Sequence, residues 1–175
     1  IGLLPADGAT PLTETLWEAY LYITGQKVAY GRYVYSRDLS AESGSYYNSS
    51  NSYYISPFKP VSGADSRCDN SINLILMTDG DPSNDSGADN AIKKVYKDTF
   101  NNSPSKISSS YLAALAQIIH GTDDVEVDLY SGTSNVKDEG RVYTIGFGSG
   151  MSSEGKVLLD RAAEYGGGQY LHADT

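Results

Sequence analysis

The sequence has a single cysteine, few basic residues and no long apolar run, and each shortage argues against a class of protein. Cys68 cannot form a disulfide within the chain, so it is either a buried thiol or the partner of a cysteine outside it. Lys and Arg number 13 against 22 Asp and Glu, and the net charge of -9 argues against nucleic acid as a partner. No run reaches the ~20 apolar residues of a membrane span and none resembles a signal peptide, so we expect any targeting signal to have been removed or to lie outside this sequence.

The composition is that of a globular and acidic protein. A chain of 175 residues, 39% of them hydrophobic, can bury a core, and the length of residues 1–175 fits one ordinary domain. The acidity suits solubility, bound cations or a basic partner. Fifteen tyrosines against three phenylalanines, with many Ser, Asn and Gly, are typical of secreted bacterial surface proteins.

Apolar periodicity and end signals predict a mixed order of helices and strands. The first helix is expected over residues 12–24, with the Thr10 hydroxyl as its cap, Pro11 in its first turn and Gly25 after its end. Further helices are expected at 88–96, 108–119 and 154–165, strands at 72–77, 142–147 and 169–172, and a short strand at 125–130. This order predicts an α/β fold with adjacent parallel strands, and the continuous apolar run 72–77 predicts a strand covered on both faces.

Residues 25–70 lack periodicity and form a long insertion rich in Tyr, Ser and Asn. We expect it to lie on the surface, with short hairpins in places. A loop of this length is functional or disordered in most compact domains. Because tyrosine and small polar residues also compose binding loops, the insertion is either a passive loop or a segment that helps to choose the partner.

Three carboxylates, Asp79, Asp81 and Asp85, follow directly after the apolar run in "LILMTDGDPSND". Ligands of open α/β sheets bind outside the carboxyl ends of the strands, which is where Asp79 is expected. The carboxylates could instead form turns and cap the next helix. We favour that structural interpretation for Asp81 and Asp85, and a functional one for Asp79.

Two nucleotide- or phosphate-directed interpretations can be drawn from short motifs. "DGDPS" and "GTDDVEVD" are similar to the acidic motifs of haloacid dehalogenase-type phosphatases, which would make Asp79 a nucleophile. The second motif follows a predicted helix, however, where those phosphatases need it at a strand end. "GFGSGMSSEG" has the wrong glycine spacing for a dinucleotide loop, and no suitable acid follows it.

Four motifs in order favour a different family. "GATPLTETLWEAYLY", "NLILMTDGDPSND", "VYTIGFGSG" and "LLDRAAEYGGGQYLHA" together resemble a von Willebrand factor A domain of the PilY type, found in type IV pilus biogenesis and tip-adhesin proteins. The resemblance implies a Rossmann-like fold, a non-enzymatic role in adhesion or assembly, and a position outside the cell, at a pilus tip or the outer membrane. It implies minor pilins, other pilus-tip proteins, or a host or abiotic surface as partners.

The resemblance also implies a metal-ion-dependent adhesion site for Mg²⁺ or Ca²⁺. Thr10 and Asp79 occupy the family's threonine and aspartate ligand positions, and hydroxyl and carboxylate oxygens suit these cations. The family's Asp-x-Ser-x-Ser motif, which belongs to the central strand, is absent from the sequence. We therefore expect an incomplete von Willebrand A fold with half a metal site, completed by the missing front of its own domain or by another chain. A structural surface module with an inactive metal site is the remaining alternative.

Overall fold

The computed structural model describes residues 9–33, 38–43, 52–60, 70–132 and 137–173. Within them, the helices are α1 (Leu12–Ile23), α2 (Asp89–Phe100), α3 (Leu112–His120) and α4 (Ser153–Tyr165). The strands are β1 (Glu42–Ser43), β2 (Tyr53–Tyr54), β3 (Ser71–Thr78), β4 (Glu139–Phe147) and β5 (Gly167–Ala173). None of these helices is both long enough and apolar enough to cross a membrane.

β3, β4 and β5 form a parallel sheet in that order. Ser71 pairs with Glu139 at one end of the β3–β4 ladder, and Thr78 pairs with Gly146 at the other. The prediction of three adjacent parallel strands is therefore confirmed. The chain is a mixed α/β protein with helices against its sheet, which is compatible with a Rossmann-like fold.

Predicted elements differ from the structure at two places between β3 and β4. The predicted strand at 125–130 is wrong, because Val125 pairs only with Thr122 across a turn while Val127 and Leu129 bury their side chains in an irregular segment. The alternation of apolar and polar residues in this segment therefore reflects a loop whose apolar side chains pack on the core. The third helix begins later than predicted, because Ser108 and Ser109 have φ values of 46° and 65°, outside the helical region.

Helix α3 is the centre of the core. Seven of its nine residues are buried, and it contacts β4, α4, α1 and α2. α4 lies beside it on the same side of the sheet and buries Leu158 and Leu159 against the strands. Val142 and Thr144, both fully buried, face these helices from β4.

The opposite face of the sheet is open among the described residues. Ile75, Met77 and Leu171 are 63%, 60% and 59% exposed, although all three lie within strands. The prediction that the first apolar strand is covered on both faces is thus wrong for this chain. Alternate residues of a strand point to opposite faces, and here only the face bearing Leu76 packs on helices.

The ends of α1 are only partly as predicted. Gly25, with φ 67°, follows the helix, and its N–H and that of Gln26 bond back to the carbonyls of Tyr22 and Leu21, which closes the last turn. At the start, the N–H of Thr13 is capped by Asp85 rather than by the predicted Thr10 hydroxyl. A side chain far along the chain therefore performs the capping role expected of a local residue.

Glu18 anchors the described parts of the insertion to α1. Its carboxylate accepts hydrogen bonds from the backbone N–H groups of Ala29, Tyr30 and Gly31 and from the Tyr54 hydroxyl. β1 and β2 pair antiparallel, in agreement with the expected short hairpin structure. Residues 34–37, 44–51 and 61–69 lie outside the described residues, and so does Cys68.

Candidate functional site

Two of the three carboxylates after β3, Asp81 and Asp85, accept hydrogen bonds at the N-termini of α1, α3 and α4. Unpaired N–H groups and the helix dipole give each helix N-terminus a partial positive charge. Carboxylates are therefore stabilised at these positions. This arrangement explains why a half-buried strand leads directly into acidic sequence.

Asp85 serves two helix N-termini at once. Its Oδ1 accepts the N–H of Thr13 at 2.6 Å, and its Oδ2 accepts the hydroxyls of Thr13 at 2.5 Å and Ser110 at 2.9 Å. The Ser110 hydroxyl in turn accepts the N–H of Leu112, the first residue of α3. The expected structural role of Asp85 is confirmed. The helices that it caps are α1 and α3, whereas the next helix along the chain, α2, begins without a side-chain cap.

Asp81 belongs to the start of α4. Its Oδ1 accepts the N–H of Ser152 at 3.0 Å, while the Ser152 hydroxyl accepts the N–H of Gly155. Gly155 leaves room for the Asp81 carboxylate, which a β-carbon at position 155 would overlap. The structural interpretation of Asp81 is confirmed as well, again with a helix that is distant in sequence.

Asp79 differs from Asp81 and Asp85, because its carboxylate makes no hydrogen bond to a helix N-terminus among the described residues. It follows the last residue of β3, is exposed, and within the described part of the chain its side chain has no hydrogen-bond or ion-pair partner. The loop after β4 lies alongside, since a β-carbon on Gly150 would be 3.5 Å from the Asp79 carbonyl oxygen. Asp79 therefore stands at the carboxyl ends of two neighbouring strands, where the sequence predicts a ligand-binding residue.

Thr10 is held against the loop that Asp79 begins. The Thr10 N–H donates to the Ser83 hydroxyl at 2.8 Å, and the Ser83 N–H donates to the Thr10 carbonyl at 3.0 Å. The Thr10 hydroxyl has no hydrogen-bond partner among the described residues and is open to another ligand. The structure thus brings the two predicted metal ligands to the same end of the sheet.

The two oxygen donors fit a hard divalent cation in chemistry and fall short in number. Mg²⁺ and Ca²⁺ take roughly six or more oxygen ligands, several of which are waters in the case of Mg²⁺. No group of three or more His, Cys, Asp or Glu side chains suited to a metal occurs in the portion of the chain that is described.

The acidic pair of the phosphatase interpretation lies apart from Asp79. Asp123 and Asp124 occupy the turn after α3, which ends at His120. The His120 ring contacts the carbonyl of Gly140, near the amino end of β4. The pair is therefore at the opposite end of the sheet from Asp79, and the structure does not bring these carboxylates together.

A second acidic group, Glu14, was not predicted as functional from the sequence. It is only 7% exposed; one carboxylate oxygen accepts the N–H of Gly87, and the other has no hydrogen-bond partner among the described residues. Burial is the main cause that raises the pKa of Glu14, and the adjacent Asp85 carboxylate raises it further. A glutamate within an amphipathic helix is ordinarily solvated, so only the structure reveals its burial.

Glu14 lines a cavity of about 700 Å³ between α1, the insertion and the loop after β3. The cavity walls carry three tyrosine rings and two carboxylates: Tyr22, Tyr30, Tyr54, Glu14 and Glu18. The rings of Tyr22 and Tyr54 meet edge to face with their centroids 5.6 Å apart. We call this space the α1 cavity.

Comparison of the chain with protein-family models, with curated proteins and with solved structures found no match. What is established is therefore the architecture itself, a parallel three-stranded sheet with helices on one described face.

Proposed function

We propose that this chain is a non-enzymatic adhesion or assembly module of the von Willebrand A type, of the kind present in PilY-like pilus-tip proteins. Asp79 and Thr10 contribute oxygen ligands to a divalent-cation adhesion site at the carboxyl end of the sheet. A cation held there with an open coordination position accepts an acidic group of the partner. Attachment then needs no covalent chemistry.

The observation that carries the proposal is the division of labour among the three carboxylates. Asp81 and Asp85 are engaged with helix N-termini, whereas Asp79 is exposed and lacks a partner in the described structure. Thr10 lies against the same loop with its hydroxyl available. A carboxylate and a hydroxyl that are both left open at the same end of the sheet suit a metal better than a purely structural turn.

The open sheet supports the further proposal that the site is completed by an additional segment. Within the described residues no strand pairs with the outer edge of β3. An unpaired strand edge can form backbone hydrogen bonds with another strand. Ile75 and Met77, which are exposed on the open face of β3, would be buried by a segment that packs there. A strand added at this edge would end beside Asp79 if it ran parallel to β3, so it could supply the remaining ligands. The front of the same domain, or another chain, is the proposed source.

The proposed setting is the cell surface. The acidic, tyrosine-rich composition and the likeness to pilus-tip proteins support an extracellular position at a pilus tip or the outer membrane. Minor pilins, other pilus-tip proteins, or a host or abiotic surface are the proposed partners.

Calorimetric titration with Mg²⁺ and Ca²⁺ tests the metal site. We expect the 175-residue chain to bind either cation weakly or not at all, because it offers two ligands where roughly six are needed. A chain extended by the preceding segment of its parent protein is expected to bind, and Asp79→Ala should remove that binding. Asp123→Asn, in an exposed turn at the opposite end of the sheet, is the charge-matched control and should leave binding intact.

The other outcomes separate the alternatives. Tight binding by the 175-residue chain would mean that further residues, such as Asp7 or Asp81, build a different site. An extended chain that binds no cation and gains no thermal stability from it would indicate a structural module with an inactive metal site. Turnover of phosphate esters that Asp79→Asn abolishes would instead establish a phosphohydrolase.

A further inference from the structure

The α1 cavity has the lining of a site for an organic cation. Its walls are largely apolar surface from Pro11, Ala19 and the three tyrosines. Its charged lining residues are Glu14 and Glu18, and the described lining includes no lysine or arginine. Among the described residues, the cavity therefore combines aromatic faces with two carboxylates and no basic side chain.

Glu18 is a fixed part of this lining. Three backbone N–H groups and the Tyr54 hydroxyl donate to its two oxygens at distances from 2.6 to 3.1 Å. These donors hold the carboxylate in place without neutralising its charge. The negative potential at that wall is consequently preorganised, because a ligand would not have to order the side chain first.

Glu14 is the carboxylate of the cavity lining whose hydrogen bonding is incomplete. A buried carboxylate oxygen without a donor is costly, and Glu14 has one such oxygen while the Asp85 carboxylate lies next to it. The hydroxyl of Tyr30 is also near, since a β-carbon on Gly87 would lie 2.7 Å from it and 3.0 Å from Glu14 Oε1. Burial first, and then the charges of Glu14, Glu18 and Asp89, raise the pKa of Tyr30. Among the described residues, none of these neighbours of Glu14 is a cation, although Glu14 lines the cavity.

We propose that the α1 cavity binds a basic side chain, lysine or arginine, of a polypeptide partner. The methylene stem lies against the rings of Tyr22 and Tyr54, and the charged head reaches Glu14. Aromatic faces attract cations, and long basic side chains bury their stems while their heads form charge-assisted hydrogen bonds. The net charge of the chain, -9, favours approach of a basic segment over long distances.

This site is separate from the proposed metal site. Neither Asp79 nor Thr10 lines the cavity, although α1 begins close to both sites. Occupation of the cavity requires no divalent cation. The inference therefore names a chemical property of the partner and does not depend on whether a metal is bound.

Nuclear magnetic resonance titration of the 175-residue chain tests the proposal, with a chelator present to remove divalent cations. The probes are the capped tripeptides acetyl-Gly-Arg-Gly-amide and acetyl-Gly-Lys-Gly-amide, with norleucine in the central position as the neutral counterpart. We expect the amide signals of Gly31 and Gly87 to shift saturably with the two basic peptides only. Added salt should weaken this binding, because part of the attraction is electrostatic.

Two variants locate the binding within the cavity. Glu14→Gln removes the negative charge and keeps the shape, and it should lower the affinity for both basic peptides by about tenfold or more. Ala19→Phe fills the cavity from the partly exposed side of α1, at a residue whose own side chain makes no hydrogen bond, and it should abolish binding. Asp123→Asn matches the charge change of Glu14→Gln and serves as the control. Asp123→Asn and Asp79→Ala, each made as a single variant, should leave the affinity for the basic peptides unchanged.

Three results would overturn the proposal. Equal affinity for the norleucine peptide would show an apolar site without charge selection. Unchanged affinity in Glu14→Gln and Ala19→Phe would place any binding outside the cavity. Absence of saturable shifts at Gly31 and Gly87 with either basic peptide would show that the cavity takes no basic side chain. Loss of peptide binding in Asp79→Ala would overturn the separation of the two sites.

Discussion

Asp85 and Thr13 form a two-point contact between the loop after β3 and the first turn of α1. One Asp85 oxygen accepts the Thr13 N–H at 2.6 Å, and the other accepts the Thr13 hydroxyl at 2.5 Å. Thr13 is fully buried and Ser110, which shares the second oxygen, is 3% exposed. Water therefore cannot readily replace the carboxylate.

The first prediction follows from this contact. Asp85→Ala removes a helix cap and leaves two buried hydroxyls with fewer partners, so it should lower the free energy of unfolding by about 2–3 kcal/mol. Relief of repulsion with Glu14 offsets part of the loss. Asp81→Ala, which removes one hydrogen bond at the start of α4, should cost about 1 kcal/mol or less. Urea denaturation of both variants measures the difference, and equal losses would contradict the two-helix role of Asp85.

The second prediction concerns the pH dependence of stability. The pKa of Glu14 is raised in the folded chain above its ordinary value of 4.5, chiefly by burial. Between those two pKa values the folded chain binds more protons than the unfolded chain, so the contribution of Glu14 to stability is present at low pH and is lost as pH rises through the folded pKa. The charged group that acts on Glu14 is Asp85. The neighbouring Tyr30 is acted on by Glu14, Glu18 and Asp89.

Glu14→Gln should remove this dependence. Above the folded pKa the variant should be more stable than the parent chain, and the difference should shrink as pH falls from the folded pKa to the ordinary pKa of the carboxyl. Thermal melts of both proteins across this range check the sign. A difference in melting temperature that is the same at every pH would show that the pKa of Glu14 is the same in the folded and unfolded chains.

The third prediction concerns the open face of the sheet. Ile75, Met77 and Leu171 are more than half exposed, so their replacement by threonine should change the free energy of unfolding by only about 0.5 kcal/mol per site. The triple variant should associate less, because a contiguous apolar patch promotes association. Leu76→Thr is the matched control on the helix-facing side of β3, and it should cost about 2–4 kcal/mol.

Light scattering and chemical denaturation separate these effects. Reduced association with unchanged stability is the expected result for the triple variant. A loss of stability comparable to that of Leu76→Thr would mean that the face is covered in the isolated chain.

The fourth prediction concerns the insertion. Replacement of residues 40–54 by a Gly/Ser linker would remove the Tyr54 hydroxyl bond to Glu18, so it would alter the α1 cavity together with the loop. Replacement of residues 44–51 alone keeps Tyr53 and Tyr54 and gives a cleaner test. If the insertion helps to choose the partner, this variant should fold normally and lose attachment or pilus-tip assembly. Normal attachment by the folded variant would make the insertion a passive loop, and Tyr54→Phe controls for the bond to Glu18.

The sheet was predictable because its signals are local. The apolar runs at β3 and β4 and the glycine-bounded β5 each fall within a few residues of the predicted strands. Gly25 ends α1 as predicted, since a positive φ at that position is a requirement of the backbone alone. Parallel pairing then follows from the helices that connect the strands.

The candidate site was only half predictable, because its contacts join residues that are distant in sequence. The sequence places Asp79 at a strand end, but it cannot show that Asp85 reaches Thr13 or that Asp81 reaches Ser152. The sequence also cannot show which face of β3 packs on helices and which face is exposed. The burial of Glu14 depends on Gly87 and Tyr30, two residues that come from different segments of the chain.

The lengths of the connections between strands also set an order of assembly. β4 and β5 are joined through α4 alone, whereas the path from β3 to β4 includes both α2 and α3. Shorter loops close at lower entropic cost, so β4, α4 and β5 should pair before β3 joins them, and pulsed hydrogen exchange would show later protection of β3. During synthesis β3 leaves the ribosome before β4, the strand with which it pairs. Among the described strands, β3 therefore has no pairing partner until the following helices and β4 have been made.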